Sequence, residues 1–218
     1  MKTPATLIFD LDGTLIDSAP DLHFAANAAL TALDRAALEL ASVTSFIGNG
    51  VETLMERCLT ATGGCDSKLH ARALDIFLST YDQHNATLTR CYPGVLACLD
   101  RLKEQGVQLG LCTNKPQTPA DEICKKLKLD GYFTTIHGAR PSVPKKPDPA
   151  PLFNCIREMG GDPAQTQYVG DSEVDQKTAQ NAGIDFVFFT GGYLNQPLAG
   201  PAPFARFSDW SRQWRSDA

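Results

Sequence analysis

The sequence predicts an α/β protein, a doubly wound, Rossmann-like parallel sheet interrupted by a helical insertion. Three observations carry this expectation. Apolar runs end abruptly in polar clusters at Phe9-Asp10, Cys112-Thr113, Val169-Gly170 and Phe189-Thr190, as strands buried on both faces do. Helical patterns separate those runs, the alternation that builds a parallel sheet. Between about residues 16 and 90 the alternation fails and only helical patterns occur.

In chain order, Thr6-Leu7-Ile8-Phe9 is a short continuous apolar run and reads as the first strand. Pro20 to Leu33, Val51 to Ala61 and Ser67 to His84 then read as helices. The expected hinges of this insertion are Ile16-Asp17-Ser18 and Thr89-Arg90-Cys91-Tyr92, the second leading into the turn signal Pro93-Gly94. Val95, Leu96, Leu99 and Leu102 mark an amphipathic helix that stops at Gly106, before a second strand over Gln108 to Cys112. A helix is expected near Thr118 to Leu127, a strand over Tyr132 to Ile136 and a helix over Ala150 to Met159. The strand Gln167 to Val169, the helix Val174 to Ala182 and the strand Asp185 to Phe189 complete the core. The tail from Asn195, rich in Pro, Ala and Trp, carries little periodicity and receives no function. The expected division is therefore a catalytic core of residues 1–15 and 91–218, with a helical cap of residues 16–90 inserted after the first strand.

A chain of 218 residues has room for a core of about 140 residues and a smaller inserted domain. With 43% hydrophobic and 21% charged residues, its composition is that of a soluble globular protein. The net charge is -5 and the densest basic clusters are the pairs Lys125-Lys126 and Lys145-Lys146. Nucleic-acid binding through counterion release needs a clustered basic surface, so no nucleic-acid partner is expected. No apolar run approaches the roughly 20 residues of a membrane span, and Met1-Lys2-Thr3 leads into the first strand without a signal-peptide core. No membrane partner and a cytoplasmic location are expected. The seven cysteines are odd in number and lack CxxC or zinc spacing, so they read as reduced thiols, with Cys98 and Cys112 as small core residues. His23, His70, His84 and His137 form no close-set ligand pair and are expected at the surface or in caps.

Open parallel sheets bind ligands beyond the carboxyl ends of their strands. At those ends lie Asp10 and Asp12, Thr113 and Asn114, and Asp171 and Asp175, with Lys146 in a loop before a helix. Asp10 and Asp12 are two residues apart, so in extended geometry their side chains leave one side, roughly 6.6 Å apart along the chain. Taken alone, Asp10-Leu11-Asp12-Gly13 is also the signature of a tight, Asp-capped turn. Its recurrence with the other polar strand ends argues for chemistry instead. Clustered carboxylates repel unless a cation joins them, and hard oxygen ligands favour Mg2+ over zinc. With that charge neutralised, one carboxylate can attack phosphorus while the other acts as acid and base, roles that fall to Asp10 and Asp12.

Asp10-Leu11-Asp12-Gly13-Thr14-Leu15-Ile16-Asp17-Ser18 resembles the first motif of the haloacid dehalogenase superfamily. Thr113-Asn114 resembles the second motif, Lys146-Pro147-Asp148-Pro149 the third and Gly170-Asp171-Ser172-Glu173-Val174-Asp175 the fourth, in order along the whole core. Phosphatases of that superfamily work through an aspartyl-phosphate. The resemblance implies that Asp10 is nucleophile and Mg2+ ligand, and that Asp12 is general acid and base with a metal-binding backbone carbonyl. Asp171 would be the remaining carboxylate ligand, and Asp175 would support the ligands or Lys146 by hydrogen bonds. Thr113 would offer its hydroxyl, and Asn114 its backbone N–H, to the phosphoryl oxygens. Lys146, which directly precedes proline as the family pattern requires, would neutralise nucleophile and phosphate, leaving Lys145 to solvent. Gln176 departs from the apolar residue usual after the last Asp, a question for helix packing more than for chemistry.

The insertion between the first and second motifs resembles the superfamily's mobile cap, which usually selects the substrate. Phe46 to Arg57 resembles the cap segment of bacterial phosphoglycolate phosphatases, and Tyr92-Pro93-Gly94-Val95 at the return hinge agrees. Gly48-Asn49-Gly50 would present backbone N–H groups at a helix start to a substrate carboxylate; a plain helix-initiating turn is the other reading. The implied activity is Mg2+-dependent hydrolysis of a small phosphorylated metabolite, phosphoglycolate first. Phosphatases of phosphorylated sugars or amino-sugar acids are the nearest rivals. A haloacid dehalogenase would have no use for Asp12, and a lasting phospho-acceptor would not need Asp12, Thr113 and Lys146 together.

Overall fold

The structure, a computed structural model, describes residues 4–84 and 86–214. The first three residues, position 85 and the last four residues of the segments assigned from sequence lie outside the described residues.

Strand β1 (Thr6–Phe9) is followed by β2 (Ile16–Asp17), then α1 (Ala19–Ala32), α2 (Leu40–Thr44), α3 (Val51–Ala61) and α4 (Ser67–His84), and the return strand β3 (Arg90–Cys91). The rest alternates: α5 (Val95–Glu104), β4 (Gln108–Pro116), α6 (Gln117–Lys126), β5 (Thr135–Ala139), α7 (Ala150–Glu158), β6 (Thr166–Gly170), α8 (Glu173–Ala182) and β7 (Asp185–Phe189), with β8 (Ala205–Phe207) last. The sheet has six strands in the order β5-β4-β1-β6-β7-β8, and every pairing is parallel.

Strand β1 sits in the middle because it is apolar on both faces. Leu7 and Phe9 point into a cluster with Cys98, Leu99 and Leu102 of α5 and Ile123 of α6. Ile8, one residue out of phase, joins the opposite cluster with Leu152 and Ile156 of α7 and Ala179 of α8. The doubly wound α/β fold expected from the sequence is the fold found.

The details differ in four places. The strand expected at Tyr132 to Ile136 lies later, at Thr135–Ala139, because Asp130–Tyr132 form a 3-10 turn. The strand expected to end at Cys112 runs on to Pro116, with irregular register against β5 between Cys112 and Pro116. A short helix, α2, precedes the Phe46 segment. The unassigned tail supplies the edge strand β8 and buries Trp210 and Trp214 against Phe9 and Phe207.

Helices α1–α4 pack on one another around Ala26, Leu30, Leu54, Met55, Phe77 and Tyr81. Their chain leaves and re-enters through an antiparallel two-stranded ribbon pairing Ile16 with Cys91 and Asp17 with Arg90. Beside it, the buried Asp21 carboxylate accepts from the N–H groups of Leu88 and Thr89 and from the Thr89 hydroxyl.

Candidate active site

The carboxyl end of β1 turns sharply after Asp10, whose N–H still bonds to the Val169 carbonyl at 2.9 Å. The N–H groups of Thr14, Leu15 and Ile16 all converge on the Leu11 carbonyl. Gly13 has φ of 85°, and a Cβ there would collide with Asp171 Oδ2, so the Asp-x-Asp-Gly turn needs glycine for both conformation and space. Thr14 Oγ1, delivered by the turn, donates to Asp171 Oδ1 at 2.6 Å.

Lys146 reaches in from the loop before α7 and sits between two carboxylates, 2.8 Å from Asp10 Oδ1 and 2.7 Å from Asp175 Oδ1. Its third partner is the hydroxyl of Tyr168 on β6, at 2.8 Å. Its backbone is fixed as well: Lys146 N–H donates to Asn114 Oδ1 at 2.8 Å, and Asn114 Nδ2 donates back to the Lys146 carbonyl at 3.0 Å. Asp175 completes a capping box at the start of α8, where its Oδ2 accepts from the hydroxyl and N–H of Ser172. Asp171 accepts from Tyr193 N–H at 2.6 Å on its other oxygen.

One carboxylate oxygen each from Asp10, Asp171 and Asp175 lies within 4.8 Å of the others. Burial pushes Asp10 up to about 6, against the pull of Lys146. Asp171 is driven well above the usual carboxylate range by burial and by the charges of Asp175 and Asp10. For Asp175 burial acts upward too, but Lys146 and the Ser172 and Tyr168 hydrogen bonds hold it below the usual value. For Lys146 burial acts downward, and the two neighbouring aspartates outweigh it and raise the ammonium. The group is thus short of positive charge at Asp10 and Asp171, whereas Asp175 is satisfied by protein donors. Asp10 Oδ1 is buried with no directed hydrogen bond; the 2.8 Å approach of Lys146 is a charge contact, off the hydrogen-bonding direction. An all-oxygen, electron-rich donor set of this kind fits a hard divalent cation. The Asp12 carboxylate is not part of it.

Asp12 faces another cation. Lys115 Nζ lies 3.1 Å from Asp12 Oδ1 and donates to the Tyr81 hydroxyl of α4 at 2.7 Å. Burial acts to lower this ammonium, but Asp12 and Tyr81 raise it above its ordinary value. Lys115 was not singled out from the sequence. The signal was there: it lies two residues after Thr113, so in an extended strand both side chains leave the same side. The apolar run stops at Cys112, which hides that relation in the sequence. Tyr168, Thr14 and Tyr193 were missed too, because strand tyrosines and turn threonines look like ordinary packing residues.

Asp10, Asp12, Thr113, Asn114 and Lys115 form one wall of a cavity of about 40 Å3. By that measure it holds a few waters or one small molecule. The wall supplied by the insertion is largely apolar, from Leu22 of α1, Ile47 in the turn before α3, and Val51 and Leu54 of α3, together with Gly48 and Gly50. Asn114 Nδ2 ties the walls together by donating to the Gly48 carbonyl at 3.0 Å. Lys146, Asp171 and Asp175 are buried beside Asp10. Asn49 is not in the lining; its side chain accepts from Arg57 at 2.9 Å. Lys145 is half-buried, not simply in solvent, and bridges to Glu52 of α3 at 2.5 Å. His137 is buried and 3.0 Å from Glu158, not at the surface.

The chain is similar to known proteins over most of its length. The family described as haloacid dehalogenase-like hydrolase matches residues 7–189. A phosphoglycolate phosphatase of Cereibacter sphaeroides is 42% identical over 193 residues, covering 88% of this chain and 88% of that protein. One from Pseudomonas syringae pv. tomato is 38% identical over 216 residues, 97% of this chain and 79% of the relative. The crystal structure of a predicted phosphoglycolate phosphatase from Haemophilus somnus 129PT superposes with a TM-score of 0.90 at 31% identity, covering 97% of this chain and 96% of that one.

Proposed function

This chain belongs to the haloacid dehalogenase-like hydrolases, and from that premise we propose that it is a Mg2+-dependent phosphatase that hydrolyses 2-phosphoglycolate to glycolate and phosphate through a phosphorylated Asp10. The observation that carries the reading is the opening of Asp10 and Asp12 into one small cavity, with Lys146 and Asp171 buried next to Asp10. The relatives' substrate supports the choice of phosphoglycolate. Residues 16–90 act in this reading as a cap that encloses the substrate.

Asp10 attacks phosphorus as the ester bond breaks, and Asp12 gives its proton to the departing alkoxide. Asp12 then takes a proton from the water that cleaves the phosphorylated Asp10, returning both carboxylates to their starting forms. Lys146 compensates the charge of Asp10 throughout, while the Thr113 hydroxyl and the Asn114 N–H stabilise charge on the transferring oxygens. Mg2+, held by the carboxylates of Asp10 and Asp171 and the carbonyl of Asp12, would supply Lewis-acid neutralisation of the phosphoryl group. Asp175 positions Lys146 and the start of α8. Gly48 and Gly50 leave room beside the substrate and offer backbone donors at the start of α3, with Asn49 shaping that turn.

A phosphate-release screen in Mg2+ across small phosphorylated acids, phosphorylated sugars and amino-sugar acids tests this. Phosphoglycolate should give the highest kcat/KM. A phosphorylated sugar ranking above it would replace the substrate, and release from none of them would remove the phosphatase reading.

A further inference from the structure

We propose that Lys115 is the specificity-determining residue of this site: its ammonium takes the carboxylate of the substrate's short acid tail, and in doing so loosens its hold on Asp12. The inference deepens the proposed function and rests on the reading of Asp10 and Asp12 as the reacting pair. Among the described residues, Lys115 is the one cationic side chain lining the cavity, since Lys146 lies beside Asp10 and outside that lining. It is only 6% exposed and lines the cavity.

A ligand would bind by exchange with Asp12. An ammonium has three N–H donors. Tyr81 accepts at 2.7 Å and the two oxygens of Asp12 at 3.1 and 3.3 Å, so a ligand carboxylate enters by taking a donor from the longer Asp12 contact. The opposite wall is apolar, so a second anion entering the cavity meets little competition from water and is attracted strongly to this charge. The cavity is small, about 40 Å3, which favours a compact tail such as a carboxylate one carbon from the ester oxygen over a sugar ring.

The same contact links recognition to chemistry. An ammonium shared between Asp12 and a substrate carboxylate binds each less tightly, which frees Asp12 to turn toward the leaving oxygen. An ester of the same length without the carboxylate would leave Asp12 paired to Lys115. Selectivity would then show in kcat as well as in KM, because the tail assembles the acid that the reaction uses. Tyr81, from α4, accepts from the same nitrogen, so the arrangement exists only where helical insert and core meet.

The test compares kcat/KM for phosphoglycolate with that for ethyl phosphate, an ester of equal chain length without the carboxylate, in wild type, Lys115→Met and Lys115→Arg. The ratio should fall about 10- to 100-fold in Lys115→Met, the loss expected of one charged hydrogen bond, with kcat for phosphoglycolate falling as well as KM rising. Lys115→Arg, which keeps the charge, should retain most of the preference and carries the test if the Met variant does not fold. Tyr81→Phe should lower the ratio less than Lys115→Met. A wild-type enzyme that hydrolyses both esters without preference would overturn the phosphoglycolate reading. A wild-type preference that survives intact in folded Lys115→Met, or that Lys115→Arg loses as completely as Lys115→Met, would overturn the role of Lys115 alone.

Discussion

Asp12 and Asp10 lie two residues apart on one turn, yet the structure gives them different partners. Asp10 contacts Lys146 and lies within the carboxylate group, while Asp12 pairs with Lys115 and faces the cavity. In the proposed reaction those surroundings would separate the nucleophile, Asp10, from the proton carrier, Asp12. Asp12→Asn keeps size and removes proton transfer, so turnover of an alkyl phosphate should drop about 100- to 10,000-fold. The first step with p-nitrophenyl phosphate should suffer less, because its leaving oxygen needs little protonation; stopped-flow release of nitrophenolate reads this directly. The buried carboxylates would also make the proposed cation binding pH-dependent. Asp10 titrates near 6 in the folded protein, above its ordinary 3.8, so between those values the native state holds a proton the unfolded chain has lost. Stability from this group is therefore present below about pH 4 and is lost as pH rises through 6. Mg2+ bound as proposed would have to displace such protons. The rise in melting temperature on adding Mg2+ should be about twofold or more larger near pH 7.5 than near pH 5, and EDTA should abolish both the rise and the activity. Equal shifts at the two pH values would contradict the cation assignment at Asp10 and Asp171.

At the scale of elements, the strands that carry the motifs were legible because each is an apolar run cut off by polar residues. Thr6–Phe9 and Asp185–Phe189 fall where the pattern places them, as do the helices Val51–Ala61 and Ser67–His84. Strand β4 was read short since Thr113, Asn114 and Lys115 look like loop residues, although their backbone continues the sheet edge toward the site. That local choice concealed Lys115, and with it the partner of Asp12. The tail was unreadable for another reason. Its strand is only Ala205–Phe207, and its contribution comes from two indoles reaching β1 and β7 across long sequence separations, which no local periodicity reports. Trp210 is fully buried against Phe9, Phe189 and Phe207. Trp210→Ala should cost about 3–5 kcal/mol of stability, measured by urea unfolding; a loss below about 1 kcal/mol would show that the tail merely lies on the core.

For the molecule as a whole, sheet and helical insert meet at the site through a few specific contacts. Asn114 reaches Gly48, Lys115 reaches Tyr81 and Lys145 reaches Glu52. Tyr193 does the same at the hinge: its N–H holds Asp171, while its hydroxyl accepts from the N–H groups of Ser18 and Ala19 and donates to Asp17. Among the described residues no helix is long and apolar enough to cross a membrane. The order of the four motifs was legible in advance, because three of them lie at or just after the carboxyl ends of strands of one parallel sheet and the other lies in the loop before α7. What joins core to insert was not visible, since those pairs are separated by tens of residues and depend on how two packed units face each other. The account as a whole depends on Asp10 forming a bond to phosphorus. Incubating Asp12→Asn with p-nitrophenyl phosphate and Mg2+, quenching in acid and mapping the peptides by mass spectrometry tests that bond directly. The account predicts one added phosphoryl group on the peptide carrying Asp10, absent from the Asp10→Ala, Asp12→Asn double variant; nitrophenolate released with no label on Asp10, or with the label on another residue, would contradict it.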